Sequence, residues 1–301
     1  KFSAHNTIVD NVAKNNKIFG IILNHSCNNI LTNNTANFNN KDSIILVKAS
    51  DENILSNNTA NFNGLDGIHL ESSNNNTLSG NNVSFNNDEG IRLNSCDNNT
   101  IRDNIANSNS HTGLHLNSSM HNDLTNNAIS ENGEFGIWLQ RSSHNTLREN
   151  VMDHNGVINF IGRYSNAVEY WDNEIDTSNT INGGPLYYFY GVNDTIIEDL
   201  NTKKVSVAGC NNVTIRNINY SDGDPITLVF TNNSLVENCT VTNNNAGSFI
   251  LGWSSYNRLI NNTASHNRGA GFNTWAINHH NISGNIISGN AVCGIKLAGT
   301  T

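Results

Sequence analysis

The sequence is poor in what most soluble folds rely on. It holds 2 prolines and 5 cysteines in 301 residues, and charged residues make up 14%. Lysine and arginine total 16 against 25 acidic residues, and no basic cluster is longer than Lys203-Lys204. Phosphate binding needs several clustered cations, so nucleic acid is not an expected partner. No apolar run approaches the roughly 20 residues of a membrane span. No window shows helical periodicity over three turns, which argues against helices. The cysteines show no CxxC spacing. Cys27 and Cys96 read as one repeat position three repeats apart, about 14 Å at one strand spacing per repeat, too far to bridge. They read as small buried hydrophobes.

What the sequence has in excess is asparagine, roughly a fifth of the chain, and a strict repeat. Gly67-Ile-His-Leu70, Gly90-Ile-Arg-Leu93, Gly113-Leu-His-Leu116 and Gly136-Ile-Trp-Leu139 recur every 23 residues, and Ile21-Ile-Leu23 and Ile44-Ile-Leu46 extend the series backwards. Between them run Asn76-Thr-Leu, Asn99-Thr-Ile, Asn122-Asp-Leu and Asn145-Thr-Leu. A short apolar stretch at Val83, Ile105, Ile129 and Val151 completes each unit. Such a unit cannot bury its apolar face alone, but stacked copies can. The expected fold is all-β: a single-stranded right-handed parallel β-helix of about 12 or 13 coils, three short strands per coil. Ile68, Ile91, Leu114 and Ile137 should form one buried line. Asn81, Asn104, Asn127 and Asn150 should stack as an amide column. The sequons at Asn33, Asn57, Asn98 and Asn261 read as structural turns first and glycosylation acceptors second.

The pattern loosens at residues 163–199, an aromatic-rich stretch with Tyr164, Tyr170, Trp171 and Tyr187–Tyr190, and then resumes. Residues 1–301 therefore read as one continuous solenoid with one embellished coil. The chain begins within a repeat and stops after a strand, so it is expected to be part of a larger protein.

The units Asn99-Thr-Ile-x-x-Asn104, Gly113-Leu-x-Leu116 and Ser118-Ser119 resemble the parallel β-helix repeats of the NosD-like, carbohydrate-binding-and-sugar-hydrolase class. Residues 173–188 are similar to an element of archaeal surface proteins. The resemblance implies the β-helix fold and an extracellular or cell-surface location. It transfers no catalytic motif.

Candidate chemistry sits on the strand positions that alternation turns outward: Ile22, Ile45, His69, Arg92, His115, Trp138 and Asn159, with Glu71, Asn94, Asn117 and Gln140 two residues on. Aromatic faces stack on sugars, arginine grips carboxylates and histidine moves protons. His69, Arg92, His115, Trp138, Glu71, Asn94, Asn117 and Gln140 are the expected substrate-binding residues. Glycoside hydrolysis needs two carboxylates. Asp66, Glu71, Asp88, Glu89 and Glu134 lie near the stripe, and Asp172, Glu174 and Asp176 beside the insert. Glu71, Glu89, Asp172 and Asp176 are the catalytic candidates. The aligned His121 and His144 could ligate metal, but no third ligand is evident, so neither metal nor cofactor is expected. The expected function is binding of polysaccharide or cell-envelope glycan. A polysaccharide lyase or glycoside hydrolase is the competing reading, and an architectural spacer a third.

Overall fold

The computed structural model describes residues 3–162 and 167–299. It is an all-β parallel solenoid in which the same short strands recur coil after coil. The chain packs as two units, Lys1–Ser165 with Asp172–Glu174, and Asn166–Trp171 with Ile175–Thr301. Tyr164 lies outside the described residues.

In the first unit a 7-stranded sheet runs from Ile21–Asn24 to Ile158–Gly162, each strand parallel to its copy one coil away. Ile68, Ile91, Leu114 and Ile137 are ladder partners and form the expected buried line. A second sheet passes through Thr77–Ser79, Thr100–Arg102 and Asp123–Thr125. A third line of pairings runs through Thr59, Asn82, Ile105 and Ala128.

The corners explain the asparagines. Each is a residue with positive φ followed by a small polar residue, as in Asn98-Asn99, Asp103-Asn104 and Ser108-Asn109, with φ of 58°, 58° and 55° at the leading residue. The left-handed conformation turns the chain, and the next side chain ties the turn to its neighbours. Asn104 shows the pattern. Its backbone N–H and its Nδ2 both donate to Asn127 Oδ1 at 3.0 Å, and Nδ2 also donates to Leu78 O at 3.0 Å. Its own Oδ1 accepts the Asn81 N–H at 2.9 Å and Asn81 Nδ2 at 3.0 Å. Every donor and acceptor of the amide is used. Parallel columns run through Asn76, Asn99, Asn122 and Asn145, and through Asn86, Asn109 and Asn132. The sequon residues Asn33, Asn57, Asn98 and Asn261 are the exposed left-handed members of such corners.

A fourth corner carries serine: Ser26, Ser50, Ser73, Ser119 and Ser142. Cys96 stands in this column, receiving the Ser73 N–H and donating its own N–H to Ser119 Oγ. It is therefore aligned with Ser26, not with Cys27 as the repeat spacing implied. All 5 cysteines are free.

In the second unit, Val205, Val207, Ile226, Leu228, Phe249, Leu251 and Phe272 form the core. The aromatic insert supplies packing. Tyr187 and Phe189, half-buried, pack against this core, while Tyr190 lies against Trp171, Ala208 and Val229. The insert also contains a short 3-10 helix, Val168–Trp171, where no helix was expected. Tyr188 donates from its hydroxyl to the Trp171 carbonyl.

Candidate functional site

The outward stripe of the first unit is the chemically richest surface. Arg92 pairs in register with His69 on one side and His115 on the other, and His115 pairs with Trp138. At one strand spacing per residue, long side chains in such a column lie on one another. The stripe is therefore less open than alternation predicts. His115 is only 4% exposed and Ile45 6%. The His115 and Trp138 rings stack at 4.1 Å with an interplanar angle of 1°. Trp138 thus has one face covered by the His115 ring. Asn159 does not continue the column. Ile161 pairs with Trp138, while Asn159 Oδ1 accepts from Asn155 at the corner.

Beneath the stripe runs a buried column that the sequence reading saw only in part: Asp42, Asp66 and Glu89, each two residues before a strand begins. The signal was available, since acids recur there at repeat spacing. Each carboxylate ties down the next coil: Asp42 Oδ1 accepts the Asp66 N–H and Asp66 Oδ1 accepts the Glu89 N–H, both at 3.0 Å. His115 Nδ1 lies 2.9 Å from Glu89 Oε1, and its Nε2 lies 3.2 Å from Gln140 Oε1. Burial, reinforced by the Glu89 charge, holds the Asp66 carboxyl well above the usual carboxylate range. Burial also raises Glu89. Burial, opposed by the Gln140 contact and aided by Arg92, pushes His115 down to about 4. At the rim, the hydrogen bond to Asp88 raises His111.

Arg92 is half-buried. Its nearest acid is Glu89, with Nη1 3.6 Å from Oε2, and it makes no hydrogen bond to any described residue. Beside it Asn117 Nδ2 donates to Asn94 Oδ1 at 3.0 Å, and both side chains remain half-exposed with Gln140. Glu71 is exposed on the same row.

The other candidates do not form a site with the stripe's chemistry. Asp176 is an exposed turn residue whose Oδ1 accepts the Ser178 N–H at 3.0 Å. Asp172 Oδ2 lies 3.5 Å from His144 Nδ1, and Glu174 pairs with Arg148. His121 and His144 stack face to face at 5.1 Å. Their in-plane lone pairs run in near-parallel planes and do not converge on one ion. Sequence reading also missed an exposed ladder of Phe38, Phe62 and Phe85, whose rings stack at 5.2 and 4.9 Å on left-handed corners.

A model of the right-handed β-helix region matches residues 43–197 and 178–301. The chain belongs to the right-handed β-helix family. No curated protein matches it. Among solved structures of this architecture, a periplasmic alginate epimerase is similar at 15% identity and TM-score 0.48, covering 88% of this chain and 47% of its own. The tailspike of E. coli bacteriophage HK620, solved with a pentasaccharide, is similar at 12% identity and TM-score 0.44, covering 91% and 56%. An alginate lyase from a Paenibacillus species is similar at 11% identity and TM-score 0.32, covering 98% and 99%. The chain spans about half the length of the epimerase. At these identities the likeness is one of fold alone.

Proposed function

We propose that this β-helix binds acidic polysaccharide along the outward stripe of its first unit, outside the cytoplasm, as its resemblance to NosD-like surface proteins implies. The observation that carries the reading is Arg92. The guanidinium is half-buried, stands 3.6 Å from Glu89 and makes no hydrogen bond to a described residue, and the exposed part of such a fork suits a carboxylate. The half-exposed amides of Asn94, Asn117 and Gln140 recur beside it at one strand spacing, which suits a polymer with regularly repeating hydroxyls. Binding is favoured over cleavage because the titratable groups around Arg92 are covered, while Glu71 stands exposed in the next row. Asp66, Glu89 and His115 are each at least nine-tenths buried and engaged with neighbouring coils.

Titration calorimetry with a polyuronate and with a neutral glucan tests this, with polymer length followed over long incubation. Polyuronate binding is expected without shortening, and Arg92→Ala should weaken it roughly tenfold or more, the value of a charged hydrogen bond. Equal affinity of the variant would remove the stripe from the account. Shortened polymer would replace binding by catalysis.

A further inference from the structure

We infer that Asp42, Asp66 and His69 form a binding site for one divalent transition-metal ion, with Zn²⁺ the best match. The three residues come from two successive coils of the first unit and the turn between strands, and one donor atom from each lies within 4.8 Å of the others. His69 Nδ1 sits 3.7 Å from Asp42 Oδ2 and 3.6 Å from Asp66 Oδ2. These separations are too long for hydrogen bonds. They are close to the spacing between ligands of a tetrahedral Zn²⁺, about 3.3–3.6 Å for bonds of about 2.0–2.2 Å.

The carboxylates are held for this task. Oδ1 of Asp42 and Oδ1 of Asp66 each accept a backbone N–H, so the carboxylates are fixed with the two Oδ2 atoms directed at the imidazole. Such outer hydrogen bonds orient metal ligands. His69 itself makes no hydrogen bond to any described residue through either nitrogen, and its Nε2 is buried without a partner. A second group points the same way. Glu89, whose side chain is 7% exposed, has an Oε2 without a hydrogen-bond partner, and its carboxylate, Asp66 and Asp88 form a second set with donor atoms within 4.8 Å. Packing this many buried acids together is costly unless a cation or protons neutralise them. The imidazole nitrogen in the set favours zinc over calcium or magnesium, which prefer oxygen alone. Three protein ligands leave a fourth position for water or another oxygen donor.

The test is equilibrium dialysis of the full chain against Zn²⁺, with Ca²⁺ and Mg²⁺ as contrasts, and a visible spectrum of the Co²⁺-loaded chain. The expected result is one Zn²⁺ per chain and a tetrahedral Co²⁺ spectrum. Asp66→Asn keeps the Oδ1 acceptor and so preserves the coil tie. His69→Ile places in the column the residue found at Ile45. Each should weaken Zn²⁺ by roughly tenfold or more, while His144→Ala leaves it unchanged. The inference is overturned if the native chain shows no saturable Zn²⁺ binding. It is equally overturned if both substitutions leave binding intact, or if His144→Ala abolishes it.

Discussion

The two units solve one problem, closing a coil on its neighbours, with different materials. In the first unit three corner columns are asparagine and a fourth is serine save for Cys96, and most successive corners recur at steps of 23 or 24 residues. In the second unit the steps are 18, 21 and 23, and the columns are mixed. Val213 donates its N–H to Ser234 Oγ, Ser234 to Asn257 Oδ1, and Asn257 to His280 Nδ1. Cys239 donates to Asn262, and Gly223 to Asn244. Where the amide is lost, apolar volume replaces it. Val213, Ile218 and Cys239 are buried, and the core admits stacked Phe249 and Phe272. The lesson is that the corner requires an acceptor for the neighbouring N–H; asparagine is the residue that also satisfies its own side chain in doing so.

The largest expected effect sharpens that contrast. Asn104→Leu strips partners from Asn81, Asn127 and the Leu78 carbonyl at once. It should destabilise the chain by roughly 4 kcal/mol in urea unfolding, since each buried orphan costs about 1–3 kcal/mol. A loss below 1 kcal/mol would mean the amide column is ornament and the apolar lines alone hold the first unit.

A middle-sized effect belongs to the second unit, which buries a lysine where the first buries acids. Lys204 is 2% exposed and donates from Nζ to Thr227 Oγ1 at 2.9 Å. Burial, opposed by the charge of Asp224, lowers it from 10.5 to about 8. Between those values the unfolded chain binds a proton that the folded chain does not, so stability rises with pH through that window. Cys96 and Cys239, each raised from 9.0 to about 11 by burial, oppose the trend above pH 9, and Tyr220, raised well above 10.0, opposes it at the alkaline end. Melting followed from pH 8 to pH 10 should show the native chain gaining on the order of 2 kcal/mol relative to Lys204→Met. An identical slope in the variant would assign the gain elsewhere.

The smallest effect probes a single irregularity. Cys96→Ser restores the serine column, whose members on either side are Ser73 and Ser119. The change should stay within about 1 kcal/mol and tilt toward stabilisation, because a hydroxyl accepts the Ser73 N–H better than a thiol. A clear loss in calorimetric melting would show that the sulfur's packing outweighs its hydrogen bond.

The fold was legible because a period of 23 residues converts directly into columns: once Ile68, Ile91 and Leu114 share a register, their pairing follows. The stripe was legible as a set of residues, not as a surface. Alternation says which side of a sheet a residue leaves from. It does not say that His115 will lie flat under Trp138. The Cys27 alignment failed because the coil from Ser26 to Ser50 is 24 residues long, and the Asn159 alignment because the strand keeps its 23-residue step and places Ile161 in the column. Asp42 was passed over because its partner His69 stands 27 positions later in the sequence, a distance that becomes contact only after a full coil.

One feature of the corners reaches beyond stability. Each asparagine presents upward the same pair of donors that its copy presents, and downward the same acceptor. Excising residues 82–104 would leave Asn81 facing Asn127 in place of Asn104, with nothing in the joint to reveal the cut. A chain assembled from interchangeable joints carries no internal gauge of its own length.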